Sequence, residues 1–485
     1  MACQKYTLLL LAAFGFLCAT GPPARSEPPP NVLFILVDDL GWRDLGSYGS
    51  TFYETPHLDR LAATGIRFTD AYAAHPVCSP TRAAIMTGKD PTRVGITDWI
   101  PGMPTERAED PQLVSPEDIH NLPLEELTIA EAFRQQGYRT FFAGKWHLGE
   151  TPEYWPEHQG FEINKGGHDR GSPPGGYYAP YENPRLEDGP EGEYLTDRLT
   201  TEAIRFMEQA SERTDPFFLF LSFYTVHTPI QGCARYDEHY REKKLKLPGE
   251  GKPAMRREGL GQTRLTQSDP EYAAMVRCMD QNVGRLLKEL KHQQLYENTV
   301  IVFTSDNGGL TTLPAERNIA PTAVIPLRAG KGWAYEGGIR VPLIIKAPGI
   351  QKGKVSAQPV TSMDFYPTLL ELAGLPSQNQ QHVDGKSLVP YLKDPAKVDD
   401  RTLVWHYPHY HGSGWRPGSA IRAGRWKLVE FYEETSVELY DLSRDLNEEH
   451  DLAGKYPDTA AALREQMHEY IKQRGGRYPV RRGQD

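Results

Sequence analysis

The sequence predicts an α/β protein: a large mixed, mostly parallel sheet covered by helices on both faces, followed by a small C-terminal antiparallel sheet with a helix. Three observations carry this. The apolar runs Asn31–Val37, Pro216–Phe223 and Thr299–Thr304 read as strands buried on both faces. Segments of helical periodicity alternate with such strands through the first 375 residues, the pattern of a helix-covered sheet. From about residue 400 the texture changes to short β-rich pieces separated by turn residues. The expected division is a leader at 1–26, a large domain at 27–399 and a small α+β unit at 400–485.

Taken in order, the first strand ends in Asp38-Asp39, two carboxylates whose burial is costly unless a cation neutralises them. Leu58–Gly65 reads as a short helix and Ile66–Tyr72 as a strand. Ser79 as N-cap, Pro80 as first helical residue and Gly88 as stop mark the next helix. Cys78 then stands just ahead of a helix N-terminus, where N–H groups and the dipole favour negative charge, and Arg82 returns to that side one turn later. Leu127–Gln136 is helical and stopped by Gly137, and strand Tyr138–Phe142 runs into Gly144-Lys-Trp-His-Leu-Gly149. In an extended segment Lys145 and His147, two apart, face the same way.

Residues 150–195 are rich in Pro, Gly and Tyr, a long loop suited to shaping a substrate wall. Tyr194–Ala210 is an amphipathic helix, and His227 lies just past the strand at 216–223. Residues 234–268 are charged and read as a surface excursion, before a strong helix at Tyr272–Leu290. The strand at 299–304 ends in Asp306-Asn307-Gly-Gly309. Gly330-Lys331-Gly332-Trp333 leads to a strand at Val341–Ile345, and the helix Thr361–Leu372 closes the domain. Beyond it, strands at Leu403–His406, Ser419–Arg422, Trp426–Phe431 and Val437–Asp441 precede a helix at Thr459–Gln473.

Lys5, the apolar run Thr7–Leu17 and Ala24-Arg25-Ser26 form an n-region, h-region and cleavage site. The run is about half the ~20 residues of a membrane span. Export to a periplasmic, secreted or lumenal compartment is expected, with no transmembrane segment in the mature chain. Net charge is −10 without long basic runs, which excludes nucleic acid as a partner. Cleavage would remove Cys3 and Cys18 and leave Cys78, Cys233 and Cys278, too few for a disulfide scaffold. Cys233 and Cys278 either pair or stay as buried thiols, and Cys78 is the odd one.

In such sheets the functional crevice lies beyond the carboxyl ends of the strands. Asp38 and Asp39, Lys145 and His147, His227, and Asp306 and Asn307 all fall there. Each alone has an ordinary explanation as a turn or a satisfied histidine; four strand ends carrying them together do not. The oxygens of Asp38, Asp39, Asp306 and Asn307 suit a hard divalent cation, Ca²⁺ ahead of Mg²⁺. Arg82, Lys145, Lys331, His147 and His227 suit a tetrahedral oxyanion. Together they describe phosphoryl- or sulfuryl-type transfer.

Cys78-Ser-Pro-Thr-Arg82, followed by Ala-Ala-Ile-Met-Thr-Gly-Lys89 and by Gly144-Lys-Trp-His-Leu-Gly149, resembles the signature of the formylglycine-dependent sulfatases. The resemblance extends over essentially the whole chain from Asn31. It implies an alkaline-phosphatase-like fold and conversion of Cys78 to formylglycine (3-oxoalanine) by a separate sulfatase-maturating enzyme. It also implies one Ca²⁺ held by Asp38, Asp39, Asp306 and Asn307, with the modified residue 78 beside it. By the same resemblance Lys145, His227 and Lys331 hold the sulfate, the last two donating to the leaving oxygen. His147 takes a proton from the second hydroxyl of the aldehyde hydrate, and Arg82 anchors that hydrate.

The expected substrate is a sulfated sugar or an aryl sulfate. The loop His168-Asp169-Arg170 is similar to that of bacterial exo-acting sulfatases on galactose-type sugars. His406 and His409, within Trp405-His-Tyr-Pro-His-Tyr-His411, either add recognition contacts or belong to an ordinary strand and turn. Rival readings are a phosphomonoesterase or phosphodiesterase on the same scaffold, a non-catalytic carbohydrate-binding relative, and a thiol peptidase. The peptidase explains neither the acidic quartet nor the lysines.

Overall fold

The structure, a computed structural model, describes residues 28–316 and 319–483. The expected leader lies outside the described residues. Eight strands form the main sheet: β1 (Asn31–Val37), β2 (Ile66–Phe68), β3 (Arg139–Gly144), β4 (Ile163–Lys165), β5 (Phe217–Phe223), β6 (Thr299–Ser305), β7 (Leu343–Lys346) and β8 (Lys354–Ser356). Their order is β8-β2-β7-β6-β1-β5-β3-β4. The central run β6-β1-β5-β3-β4 is parallel, whereas β7 is antiparallel to both β6 and β2.

Every residue of β1, β5 and β6 is buried. Because side chains alternate across a strand, one apolar run serves two cores. Leu33, Ile35 and Val37 face one layer with α1 (Pro56–Thr64), α4 (Leu195–Ser211), α5 (Ala234–Leu245) and α6 (Pro270–His292). Val32, Phe34 and Leu36 face the other, with α2 (Cys78–Thr87), α3 (Ile129–Gln135) and α7 (Phe365–Leu372). Phe34 stacks on Phe220 of β5 at 4.7 Å and 5°. Each such fully buried side chain contributes about 1.5–3 kcal/mol, which holds the strands firmly enough to position the residues at their carboxyl ends.

The C-terminal unit is a four-stranded antiparallel sheet: β9 (Thr402–Tyr407), β10 (Gly418–Ala423), β11 (Trp426–Phe431) and β12 (Ser436–Asp441). One face packs on α8 (Pro457–Gln473) through Ile421, Leu428, Leu439, Leu463 and Met467. The other packs on the large domain, where Trp405, Tyr407 and Trp415 meet Tyr72, Trp333 and Tyr335. Past α8 the chain returns to the large domain, and Val480–Arg481 pairs antiparallel with Leu113–Val114.

Some local expectations are corrected. Ser79 is not the N-cap: the helix begins at Cys78 with Val77 as its cap, and the Ser79 hydroxyl instead accepts from Ile100 N at 3.1 Å. Gly88 does end it, at φ 67°. The strand expected at Ile66–Tyr72 is broken after Phe68, and Ala71–Tyr72 pairs separately with Val360–Thr361. Residues 234–268 are more than an excursion: Ala234–Leu245 is a helix that buries Tyr240, and Arg264 lies 3% exposed at the end of a hairpin.

Candidate active site

The four adjacent parallel strands β6, β1, β5 and β3 point their carboxyl ends at one crevice. Asp38 and Asp39 follow β1, Asp306 and Asn307 follow β6, His227 lies past β5, and Lys145 and His147 follow β3. The first two turns of α2 add Cys78 and Arg82, and the loop before Trp333 adds Lys331. Strand alternation is not what brings Lys145 and His147 together, because His147 sits at φ 59°, outside the extended region. That backbone turn, with Asp39 also at φ 60°, is what brings the side chains round to the crevice.

Arg82 is committed to the protein. Its Nε and Nη2 donate to Asp306 Oδ2 at 2.9 and 2.7 Å, and Nη1 to the Lys145 carbonyl and Ser222 Oγ, both at 2.7 Å. Sequence reading missed Ser222, a buried polar residue inside an otherwise apolar strand, whose only signal is that interruption. Lys145 Nζ lies 2.8 Å from Asp38 Oδ2, and Lys331 Nζ 2.8 Å from Asp39 Oδ1. His227 Nε2 is 3.8 Å from Asp39 Oδ2, while its Nδ1 donates to the Thr228 carbonyl at 2.7 Å. His147 Nε2 donates to the Ile100 carbonyl at 2.5 Å, which turns the unprotonated Nδ1 toward Cys78 Sγ at 3.3 Å.

A glycine makes room for that ring. A Cβ at Gly171 would lie 2.6 Å from Nε2 of His147, too close to be accommodated without moving the imidazole. Neither Gly171 nor the Ile100 carbonyl carries a motif that sequence reading could have caught.

Burial dominates the electrostatics. It pushes Asp38 up to about 8, which Lys145 only partly offsets and Asp306 and Asp39 reinforce. It opposes ionisation of Asp39 too, but Lys331, His227 and Lys145 together hold that carboxyl well below its usual range. Burial, aided by Lys331, lowers His227 to about 3, and it keeps His147 neutral far below its ordinary value. The Cys78 thiol is likewise raised by burial, against the pull of Lys145 and Lys331. A raised thiol next to a histidine is the reverse of an activated peptidase cysteine.

The donor set fits a hard divalent cation. Asp38 Oδ1 and Asn307 Oδ1 are buried and have no hydrogen-bond partner, two oxygens costly to bury unless something positive meets them. Asn307 Nδ2 meanwhile donates to Asp39 Oδ1 at 2.8 Å, so its carbonyl is the end left open. Three carboxylates face three cations, Arg82, Lys145 and Lys331, so an anionic ester would offset part of the charge a dication brings. Asp38, Asp39 and His227 also have atoms close enough to share an ion. The all-oxygen set agrees better with the orphaned atoms, since neither of them belongs to His227.

Beside the cluster opens a cavity of about 580 Å³, bordered by Cys78, His147, His227 and Lys331 and, farther out, by Asp169, Arg170 and Trp99. Three residues expected to touch substrate lie elsewhere. His168 is 1% exposed and held by Asp169 and the Tyr224 hydroxyl. His406 is locked between Ser419 Oγ at 2.8 Å and the Arg477 carbonyl at 2.9 Å, and His409 pairs with Thr97 Oγ1 at 2.9 Å. All three are buried, because strand β9 and its turn point His406 and His409 into packed surroundings rather than at the cavity, and His168 is turned inward on Tyr224. His411, two residues beyond His409, is the histidine of that stretch which borders the cavity.

Comparison with known proteins is consistent with this geometry. The sulfatase family model matches residues 30–375, and a model of the N-sulphoglucosamine sulphohydrolase C-terminal region matches residues 329–474. The chain is 32% identical to human arylsulfatase A over 95% of its own length and 89% of that protein. It is 34% identical to the N-acetylgalactosamine-6-sulfatase of Rattus norvegicus, covering 83% of this chain and 72% of the relative. A crystal structure of Ps i-CgsB in complex with k-i-k-neocarrahexaose superposes with a TM-score of 0.72 at 31% identity, over 91% of this chain and 93% of that one. With both a family model and near-full-length relatives in agreement, the chain belongs to the sulfatases and hydrolyses sulfuric esters.

Proposed function

We propose that the protein releases inorganic sulfate from a sulfated carbohydrate, using formylglycine made from Cys78 and one Ca²⁺. The observation that carries this is the placing of two orphaned buried oxygens, Asp38 Oδ1 and Asn307 Oδ1, in the same strand-end cluster as the Cys78–His147 pair. Asp38, Asp39, Asp306 and Asn307 would hold the metal, which supplies charge stabilisation for the nucleophile and the sulfuryl oxygens. Residue 78, as an aldehyde hydrate, supplies one hydroxyl to attack sulfur and a second through which sulfate is later expelled.

The chain's own residues then have distinct tasks. Lys145 and Lys331 hold the ester's oxygens in a site from which water is largely excluded. Lys331 and His227 face the leaving oxygen, and Lys331 is the one of the two with a proton to give, since Asp39 favours its ammonium while the single N–H of the neutral His227 is held by the Thr228 carbonyl. His147 enters with Nδ1 free to take a proton from residue 78. Arg82 acts through Asp306, which it clamps with Nε and Nη2.

The sugar assignment is supported by relatives whose names specify an N-acetylgalactosamine sulfate or a bound neocarrahexaose, and by a cavity that offers Trp99 beside polar side chains. An exported location and dependence on a maturation enzyme belong to the same reading. Among the described residues no helix is long and apolar enough to cross a membrane.

The test is the mass of the peptide containing residue 78, taken together with sulfate release from monosaccharide sulfates. An aldehyde mass with sulfate release supports the proposal. A thiol mass in fully active protein, or a clear preference for phosphate esters, overturns it.

A further inference from the structure

Two cavities meet at Lys331 and His227. The first holds Cys78 and opens past Asp169 and Arg170. The second measures about 300 Å³, begins at Asp39 and Thr228 and runs toward Met103, Leu313 and Arg107. Trp99, half-buried, borders both the first cavity and this one. With Lys331 and His227 as the groups facing the oxygen that joins sulfate to sugar, a ring bound there has space on two flanks. It is therefore not required to be a chain end.

The second cavity has its own chemistry. Met103, Leu310, Leu313 and the Trp99 indole give it apolar surface of the kind that accepts a sugar face. Beyond the catalytic groups, its one formal charge is Arg107. Arg82, Arg170 and Arg416 each face a carboxylate, whereas the exposed Arg107 side chain has no ion-pair or hydrogen-bond partner among the described residues. An exposed arginine is ordinarily just solvated. This one differs in bordering the same cavity as the leaving-group donors. Farther along, a cavity of about 340 Å³ shares Met103, Arg107 and His411. There Arg416 is already neutralised by Glu433, and Glu109 and Glu316 oppose a further anion.

We propose that this second cavity is a binding arm for one neighbouring sugar, with Arg107 taking an anionic substituent on it, so that the enzyme accepts sulfated residues flanked within a polyanionic glycan. The proposal rests on the sulfatase reading and departs from the exo-acting expectation. Arg107 is a specificity residue in it, not a catalytic one.

The test uses inhibition of 4-nitrophenyl sulfate hydrolysis by the full-length protein. The probes are N-acetylgalactosamine 6-sulfate, the tetrasaccharides of chondroitin 6-sulfate and κ-carrageenan, and a carboxyl-reduced chondroitin tetrasaccharide. At least one native tetrasaccharide is expected to bind about tenfold tighter than the monosaccharide, the size of one charge-assisted contact. Arg107→Gln should remove most of that advantage and Arg107→Lys should keep the larger part. If the chondroitin compound is the tighter one, carboxyl reduction should cost affinity in the native protein but not in Arg107→Gln. Equal inhibition by monosaccharide and both tetrasaccharides, or an advantage untouched by Arg107→Gln, overturns the arm. Failure to hydrolyse the aryl sulfate would instead count against the proposed function. In that case calorimetry with the same tetrasaccharides and variants reads the arm directly.

Discussion

The strand-end cluster and the wall of the cleft are built in opposite ways. The cluster is short-range in construction: each pair of reactive residues comes directly after a buried parallel strand, and neighbouring strands align the pairs. The wall is long-range. Trp99 and Arg107 lie in a loop whose supports come from the far end of the chain, including Tyr407 on Asp98 and His409 on Thr97. The difference teaches that the chemistry is set by the sheet, whereas the choice of substrate is set by how the two units meet.

Experiments that break one region and spare the other sharpen this contrast. The largest expected effect is in the cluster: Cys78→Ala should lower sulfate release by about 10³-fold or more, with the protein still folded by circular dichroism. Residual activity near that of the native protein would remove residue 78 from the chemistry. Next comes the cation. Dialysis against a chelator should cost about 10²-fold in rate and lower Tm by several degrees, and Ca²⁺ should restore both better than Mg²⁺. An unchanged Tm would argue that Asp38 and Asn307 hold no ion.

Gly171→Ala tests the seam, since a wall residue there would push the His147 ring. A fall in kcat of roughly 10- to 100-fold with little change in KM is expected, the scale of a small misplacement of a catalytic group. If kcat is unaffected, His147 is not held by that packing.

The smallest effect on rate should lie behind the wall, at His406. Burial lowers its pKa from 6.5 to about 4, so the folded state favours the neutral ring. Its contribution to stability is therefore present above pH 6.5 and lost as pH falls toward 4, by roughly 3 kcal/mol at most. His406→Gln should flatten that part of the stability–pH curve while leaving aryl sulfate turnover within about twofold. Retention of the native acid sensitivity would assign it to other groups.

The same division explains what could be read from the sequence. Strands such as Asn31–Val37 announce themselves because burial on both faces leaves few polar positions, and the residues just past such a strand inherit its position. Asp38, Asp306 and Lys145 were legible for that reason. Gly171 was not, because its role depends on a ring twenty-four residues earlier in the chain. His406 and His409 were left open between substrate and packing, since a histidine in or just past a strand carries no sign of which face is covered, and here both are buried. The turn at His147 shows the limit of periodicity: counting by two requires an extended backbone, which φ 59° denies.

The pairing of Val480–Arg481 with Leu113–Val114 lies directly beyond the loop that carries Arg107, and it bears on the order of assembly. Gln112 N also donates to Glu433, Leu113 N to the Tyr410 hydroxyl, and Arg482 N to the Gln112 carbonyl. During synthesis the sheet and its catalytic ends can form once residue 346 has emerged, since β1, β3, β5, β6 and β7 are by then complete. The wall has to wait for residues near 480. A nascent chain therefore acquires its reactive centre well before it acquires the means to choose what reaches it.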